Sequence, residues 1–291
     1  MTHTSGLPPY APVSELQEKY GSPNPKGLME YISTCKREFK PQTKFQYSCL
    51  NYITLQHIIE TITGQSLRDF AKENIFDILG MQYTDYLPTI QQQDGKWINT
   101  VACPWMDRIA PTEKQKDGSV LCGQVHDPLA RILNGGISGN AGIFSNANDI
   151  GILAAALLNG GEYNGHRILS PLGVKTMCTV PRELTAFGRT PGWDIFSPYA
   201  SNKGDLFSPN TFGHTGYTGT SIIIDPDNDT AVILLVNAIH PEDRHSIVRL
   251  RSLVANAVAA SICPPAQVYT DHYYKRFLQF ETETPISPKI L

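Results

Sequence analysis

The stretch Phe212-Gly-His-Thr-Gly-Tyr-Thr-Gly-Thr-Ser-Ile-Ile-Ile-Asp-Pro226 limits what this chain can fold into, because a polar opening with glycines at 213, 216 and 219 runs straight into an apolar, β-branched segment. The second half has the composition of a buried strand, and the glycines of the first half leave room for a ligand to lie along the backbone. Turn residues Asp225 to Asp229 follow and lead into Ala231-Val-Ile-Leu-Leu-Val236, so the two runs read as an antiparallel hairpin. Both runs are nearly all apolar and need cover on both faces, and the periodic segment after Pro241 supplies it on one. A glycine-rich strand edge beside His214 and Thr215 is a place to hold an acyl group.

Bulk properties narrow the partners. The chain has 291 residues, enough for one large domain or two lobes, and its Lys+Arg count of 24 against 27 Asp+Glu gives a formal net charge of -3. That balance points away from nucleic acid and anionic membranes and towards a small neutral or weakly charged substrate. The six cysteines, at 35, 49, 103, 122, 178 and 263, have neither Cys-x-x-Cys metal spacing nor the density of a disulfide scaffold, so they read as reduced and buried. No cofactor or metal is expected. No apolar run approaches the roughly 20 residues of a membrane span and no basic-then-apolar leader opens the chain. As written it would stay in the cytoplasm; a native start further upstream would allow export.

Five prolines between residues 8 and 26 mark an irregular surface segment, and residues 27 to 39 read as a short helix ended by Pro41. Tyr47 stands just ahead of a helix whose stripe is Leu55, Ile58, Ile59 and Ile62, stopped by Gly64. Ser66-Leu-Arg-Asp69 resembles a capping box that opens the next helix, which Gly80 ends. From about 88 to 125 the chain lacks periodicity, with Trp97 and Trp105 as anchors of a long loop able to roof a cleft. His126 and Asp127 suggest a metal site or triad, but adjacent side chains on a helix do not face each other. The last helix, about 242 to 262, is expected to bury Ile247, Leu250, Val254 and Val258.

Several segments occur in the order of one known superfamily: His3-Thr4-Ser5-Gly6-Leu7-Pro8, Tyr47-Ser48-Cys49, Leu79-Gly80-Met81, Gly139-Asn140-Ala141-Gly142-Ile143-Phe144-Ser145 and His214-Thr215-Gly216. Together they resemble the serine β-lactamases and penicillin-binding proteins, above all the class C-related serine hydrolases. The resemblance implies an α/β (α+β) fold, an antiparallel sheet flanked by helices with an inserted, mainly helical lobe. On this chain it maps as one domain over 1–265, with the helical lobe at 10–205, the sheet and last helix at 206–265, and a tail at 266–291. It also implies an acyl-enzyme route, with Tyr47 as general base or relay and His214 assisting it or positioning substrate. Cys49, Asn140, Thr215, Gly216 and the Tyr217 backbone N–H would contact the substrate, the last as an oxyanion donor.

Two departures from the family pattern bear on activity. The family nucleophile is the serine of Ser-x-x-Lys, whose lysine one turn on lowers the cost of deprotonation. It should precede the His-Thr-Ser-Gly segment, which here starts near residue 2, so the reading is of a chain shortened before that motif, with the sheet lacking its amino-terminal strands and the nucleophile helix absent. The spacing does occur at Ser33-Thr-Cys-Lys36, after that segment; it reads either as a displaced nucleophile or as a solvated helix face. Cys49 stands where the family often has Asn, and a thiol is a weaker amide partner, which argues against β-lactam side-chain recognition. His214 in place of Lys is only partly cationic near neutrality, a weaker carboxylate anchor that favours an esterase or peptidase over a penicillinase. The substrate class is a small ester, amide or peptide. Three readings remain: a serine hydrolase inactive in this chain alone, a non-catalytic ligand-binding or regulatory homologue, and a nonfunctional fragment. Apolar strand faces without cover also predict low stability or self-association.

Overall fold

A computed structural model describes residues 1–197, 203–243 and 246–262. The proposed tail at 266–291 lies outside the described residues. In chain order, α1 (Val13–Tyr20) is followed by α2 (Pro25–Thr34), whose start is set by Pro25 in the first turn and by Asn24 Oδ1 accepting from Gly27 N at 2.8 Å. α2 ends at Thr34, earlier than the expected 39, because Cys35 already adopts an extended conformation. α3 (Cys49–Thr63) closes on Gly64 in the left-handed region at φ 70°. α4 (Leu67–Ala71) begins at Ser66, whose Oγ accepts from Asp69 N, and continues through a π-helical turn, Lys72–Phe76, into α5 (Asp77–Leu79).

Short strands fill the middle of the chain. β1 (Asp85–Tyr86) pairs antiparallel with a later strand, while β2 (Thr89–Gln91) and β3 (Trp97–Asn99) form a hairpin inside the segment expected to be irregular. A π-helical turn at Leu129–Leu133 precedes β4 (Ile143–Phe144), the partner of β1. Then come α6 (Ala147–Leu158), the ribbon of β5 (Glu162–Tyr163) and β6 (His166–Arg167), and α7 (Pro171–Met177). The carboxyl-terminal part holds the antiparallel sheet β7 (Phe212–Thr215), β8 (Ser221–Asp225) and β9 (Thr230–Leu234), in that order, followed by α8 (Val248–Ser261). The hairpin read from the sequence is β8–β9, with Ile222 opposite Ile233. Both α6 and α8 pack on β9. Among the described residues no helix is long and apolar enough to cross a membrane.

The apolar side chains sort into three clusters. The first joins Leu7, Leu28, Leu50, Ile53, Leu129 and Leu133, so the amino-terminal segment, α2, α3 and the turn before Asn134 share one core. Each such buried leucine contributes about 1.5–3 kcal/mol relative to exposure. The second centres on Leu79, Met81, Tyr86 and Ala156, and the third on Leu157, Phe212 and Ile224. The turn after Met81 is pinned by the buried Asp149, whose Oδ2 accepts from Tyr83 N at 2.7 Å and Thr84 Oγ1 at 2.8 Å.

Two helical stripes differ from expectation. α3 buries Leu50, Asn51, Ile53 and Gln56, whereas Ile58 and Ile62 are 45% and 79% exposed. The reason is a polar anchor: Gln56 Oε1 accepts from Gly139 N at 3.0 Å and Asn134 Nδ2 at 3.2 Å, which turns that face of the helix inward and leaves Ile58 and Ile62 outside, while Ile59 packs half-buried on the second cluster. In α8 the fully buried positions are Arg251 and Ala255; Leu250 is exposed, and Ile247, Val254 and Val258 are half-buried. Arg251 turns inward because two carbonyl oxygens of the β7–β8 connection await its guanidinium.

Candidate active site

The edge of β7 is shaped by close backbone packing. Gly213 exchanges backbone hydrogen bonds with Asp194, both at 2.9 Å, and a Cβ on Gly213 would lie 2.3 Å from Ile222 O. The tight turn that follows has Gly216 N donating to Thr220 O at 2.8 Å. Gly219 sits there at φ +121°, where a Cβ would come 2.6 Å from Val236 O, so only glycine fits. Against this edge lies a cavity of about 430 Å³ lined by Tyr47, Arg189, His214, Thr215, Gly216 and Tyr217, with Asp243 and Arg251 also on its wall.

Tyr47 enters the cavity from the turn ahead of α3. Its ring stacks on the buried imidazole of His3, centroids 4.2 Å apart, and lies 5.6 Å from the Arg189 guanidinium carbon and 6.2 Å from the His214 ring. His214 faces Thr215 O at 2.9 Å through Nδ1 and Arg189 Nη2 at 2.5 Å through Nε2. Burial, then the Arg189 charge, lower its pKa from 6.5 to about 4. It is therefore neutral at pH 7 instead of partly cationic as its reference pKa suggests. The positive charge beside it belongs to Arg189, which is 1% exposed and ion-paired with Asp194 at 2.9 Å.

A second cation stands on the other wall. Arg251 Nη2 donates to Gly216 O at 2.9 Å and Thr220 O at 3.0 Å, which ties α8 to the turn after His214. Arg251 is 8% exposed, has no carboxylate partner among the described residues, and leaves its Nε without an acceptor. Tyr217 projects outward, 73% exposed, with its hydroxyl donating to Asp243 Oδ2 at 2.6 Å and its ring stacked on His126 at 5.5 Å. The long loop is fastened over this end by Lys114 N donating to Pro241 O at 2.8 Å and His240 Nδ1 donating to Thr112 O at 2.8 Å.

Cys49 and Asn140 do not line this cavity; they meet beside Asp127. Asn140 Oδ1 accepts from Ser138 Oγ at 2.6 Å and its Nδ2 reaches Asp127 Oδ1 at 3.4 Å, while Asp127 Oδ2 accepts from Tyr10 OH at 2.9 Å. Burial, reinforced by Asp127, pushes the Cys49 thiol up to about 11, so it is a protonated thiol at neutral pH. Asp127 is thus a structural acceptor that also holds Ala130 N at 2.8 Å.

The beta-lactamase family model matches residues 1–256. The chain belongs to that family. A protein of Escherichia coli named as a putative D-alanyl-D-alanine carboxypeptidase is 34% identical over 254 residues, covering 82% of this chain and 56% of the relative. A Salmonella gallinarum protein of the same name is 32% identical over the same shares. The chain spans about half the length of the curated relatives it matches. Among solved structures, simvastatin synthase from Aspergillus terreus superposes with a TM-score of 0.59 at 16% identity, covering 91% of this chain and 68% of that one. A beta-lactamase from Mycobacterium bovis gives 0.55 at 19% identity, covering 90% and 72%. These likenesses establish the β-lactamase/penicillin-binding-protein fold that the motifs implied.

In this beta-lactamase-family chain the Ser33–Lys36 pair is exposed and lies off the cavity wall, and Ser33 Oγ donates to Glu30 O at 2.8 Å. The charged cavity residues that the sequence does not point to are Arg189, Asp194, Asp243 and Arg251. Arg251 shares a helix face with the buried Ala255 four residues on, but hydropathy periodicity assigns an arginine to the surface. Arg189 carries no sequence signal: its loop has no period, and although Asp194 follows five residues on, the imidazoles of His214 and His3 lie 25 and 186 residues away.

Proposed function

We propose that these residues form the substrate-binding wall and proton-transfer side of a serine hydrolase that acts on a peptide, or a related ester or amide, through an acyl-enzyme. The observation that carries this reading is the convergence of Tyr47, His214, Thr215, Gly216, Tyr217 and Arg251 on one cavity. Arg251 gives the wall a buried positive charge without a carboxylate partner among the described residues, a feature suited to a substrate carboxylate. The carboxypeptidase name of the Escherichia coli relative agrees with a peptide that ends in such a group. The Tyr217 backbone N–H, in the turn after β7, donates to no group among the described residues, and in this reading it receives the developing oxyanion. Tyr47 takes the attacking hydroxyl's proton and returns it to the leaving amine or alkoxide. A phenol does this near neutrality only beside a cation, and Arg189 is the cation against its ring.

The attacking serine is not Ser33, whose hydroxyl is spent on the Glu30 carbonyl at the helix surface. In this reading the nucleophile belongs to a Ser-x-x-Lys element outside these 291 residues, and the chain alone binds substrate without turning it over. Intact mass spectrometry after exposure to a fluorophosphonate, combined with titration of a D-alanyl-D-alanine-terminated peptide, tests this. Peptide binding that Arg251→Ala weakens, with no covalent adduct, is the expected pair of results. An adduct mapped to Ser33 overturns the nucleophile assignment, and absence of peptide binding by the folded chain removes the substrate assignment.

A further inference from the structure

Two imidazoles approach one guanidinium nitrogen, and their hydrogen bonds assign them opposite tautomers. His214 Nε2 lies 2.5 Å from Arg189 Nη2, and a guanidinium can only donate, so His214 Nε2 holds a lone pair. Its ring proton is then on Nδ1, where the Thr215 carbonyl accepts it at 2.9 Å. His3 is the reverse. Its Nδ1 accepts from Ser48 N at 3.1 Å, which leaves the proton on Nε2, and the 3.4 Å contact of that nitrogen with Arg189 sets donor against donor. The Arg189 hydrogen bond therefore goes to His214, and His3 supports the Tyr47 ring by stacking.

We propose that Arg189 is a positioning residue of this cleft, locking His214 in the Nδ1–H tautomer so that His214 stands on the strand edge as a fixed neutral group and takes no part as acid or base. The lock is tied to the strand itself. Asp194, which holds Arg189 Nη1, exchanges backbone bonds with Gly213, the residue before His214, and its carboxylate is fixed in turn by Ser197 N at 3.0 Å and Ser197 Oγ at 2.6 Å. Guanidinium, imidazole and strand edge thus share one frame. The charged and titratable groups facing His214 are Arg189 and Asp194 from the segment before β7, His3 from the amino-terminal segment, and Tyr47 from the turn ahead of α3. Only Asp194 among them favours protonation, and its charge is already committed to Arg189. The assignment rests on the hydrolase reading for its catalytic consequence alone, since the tautomer can be read without turnover.

The test is long-range ¹H–¹⁵N spectroscopy of the histidine rings in the full 291-residue chain, with His214 assigned by loss of its signals in His214→Gln. In the unmodified protein His214 is expected to show a protonated Nδ1, an unprotonated Nε2, and no titration between about pH 5 and 8, the range in which an unperturbed histidine charges. Arg189→Lys replaces the planar fork with a point charge on a flexible stem, and it is expected to give a mixed-tautomer spectrum. The paired change Arg189→Met with Asp194→Asn removes both charges without stranding either, and His214 then titrates closer to its ordinary value. A His214 in the Nε2–H form in the unmodified protein overturns the assignment, whatever the variants do. So does a tautomer and titration unchanged in folded Arg189→Lys and in the folded paired variant. Failure of peptide binding with the tautomer confirmed would remove the substrate reading and leave this one standing.

Discussion

The core around α3 and the sheet at the carboxyl-terminal end use the same kinds of side chain to different effect. Leu28, Leu50, Ile53 and Leu129 are each at most 2% exposed, enclosed by four segments of chain. β9 is half-buried along its whole length, and Leu235, Leu250 and Leu253 beyond it are 45%, 42% and 55% exposed. Apolar composition alone does not make a core; cover does. Stability should therefore be concentrated on the Tyr47 side of the cleft, while the sheet side retains apolar surface to bury. The cleft lies at the seam, and Arg189 joins the two sides by touching His3 and His214 at once.

The largest effect should come from breaking that seam. Arg189→Met leaves Asp194 buried without its cation, which typically costs about 3–5 kcal/mol, and urea denaturation should show it as a lowered midpoint. Adding Asp194→Asn should recover much of the loss. Full additivity of the two changes would mean that neither charge depends on the other in the folded chain. Next, Leu50→Ala should cost about 2–5 kcal/mol through the cavity it opens. Leu253→Ala on α8 should stay within about 0.5 kcal/mol. Equal losses at the two leucines would erase the contrast between the two regions.

Much of this division could be read in advance, and the exceptions have physical causes. The β8–β9 hairpin, the Gly64 and Gly80 stops and the Ser66 cap are local, so short-range propensity decided them. The motif order identified the fold because each motif binds a distant partner, as Asp149 does the turn after Met81. The inward faces of α3 and α8 depart from their apolar stripes because a polar side chain overrides the stripe: Gln56 faces Asn134 and Gly139, and Arg251 faces Gly216 and Thr220. Hydropathy periodicity assigns such residues to the surface. The electrostatics of the site are hidden in the same way, because the charge state of His214 depends first on its burial and then on an arginine 25 residues away that no spacing rule connects to it.

A pH-dependent effect also belongs to the seam. Burial and the Arg189 charge hold His3 at about 3 and His214 at about 4, both below the ordinary 6.5. The unfolded chain therefore takes up protons first. This contribution is intact above pH 6.5 and is lost as pH falls towards 4, with a slope of about 1.4 kcal/mol per pH unit for each histidine. His214→Gln should reduce the slope between pH 6.5 and 4.5 by about 1.4 kcal/mol per pH unit, measured as urea midpoints across that range. An unchanged slope would show that His214 is not held neutral in the folded chain.

The smallest effect on stability should accompany the clearest effect on association. Leu250 and Leu253 lie three residues apart on the exposed side of α8, next to the half-buried β9, and apolar surface of this kind favours contact between molecules. Replacing both with serine removes apolar area that solvent already reaches, so the folding free energy should change by no more than about 0.5 kcal/mol per site. If the chain self-associates through this face, sedimentation velocity should show the unmodified protein moving to larger species as concentration rises and the double variant remaining monomeric. A double variant that associates as strongly would move the contact elsewhere. One that unfolds instead would mean that these leucines are already part of a core, and the contrast between the two sides of the cleft would have to be redrawn.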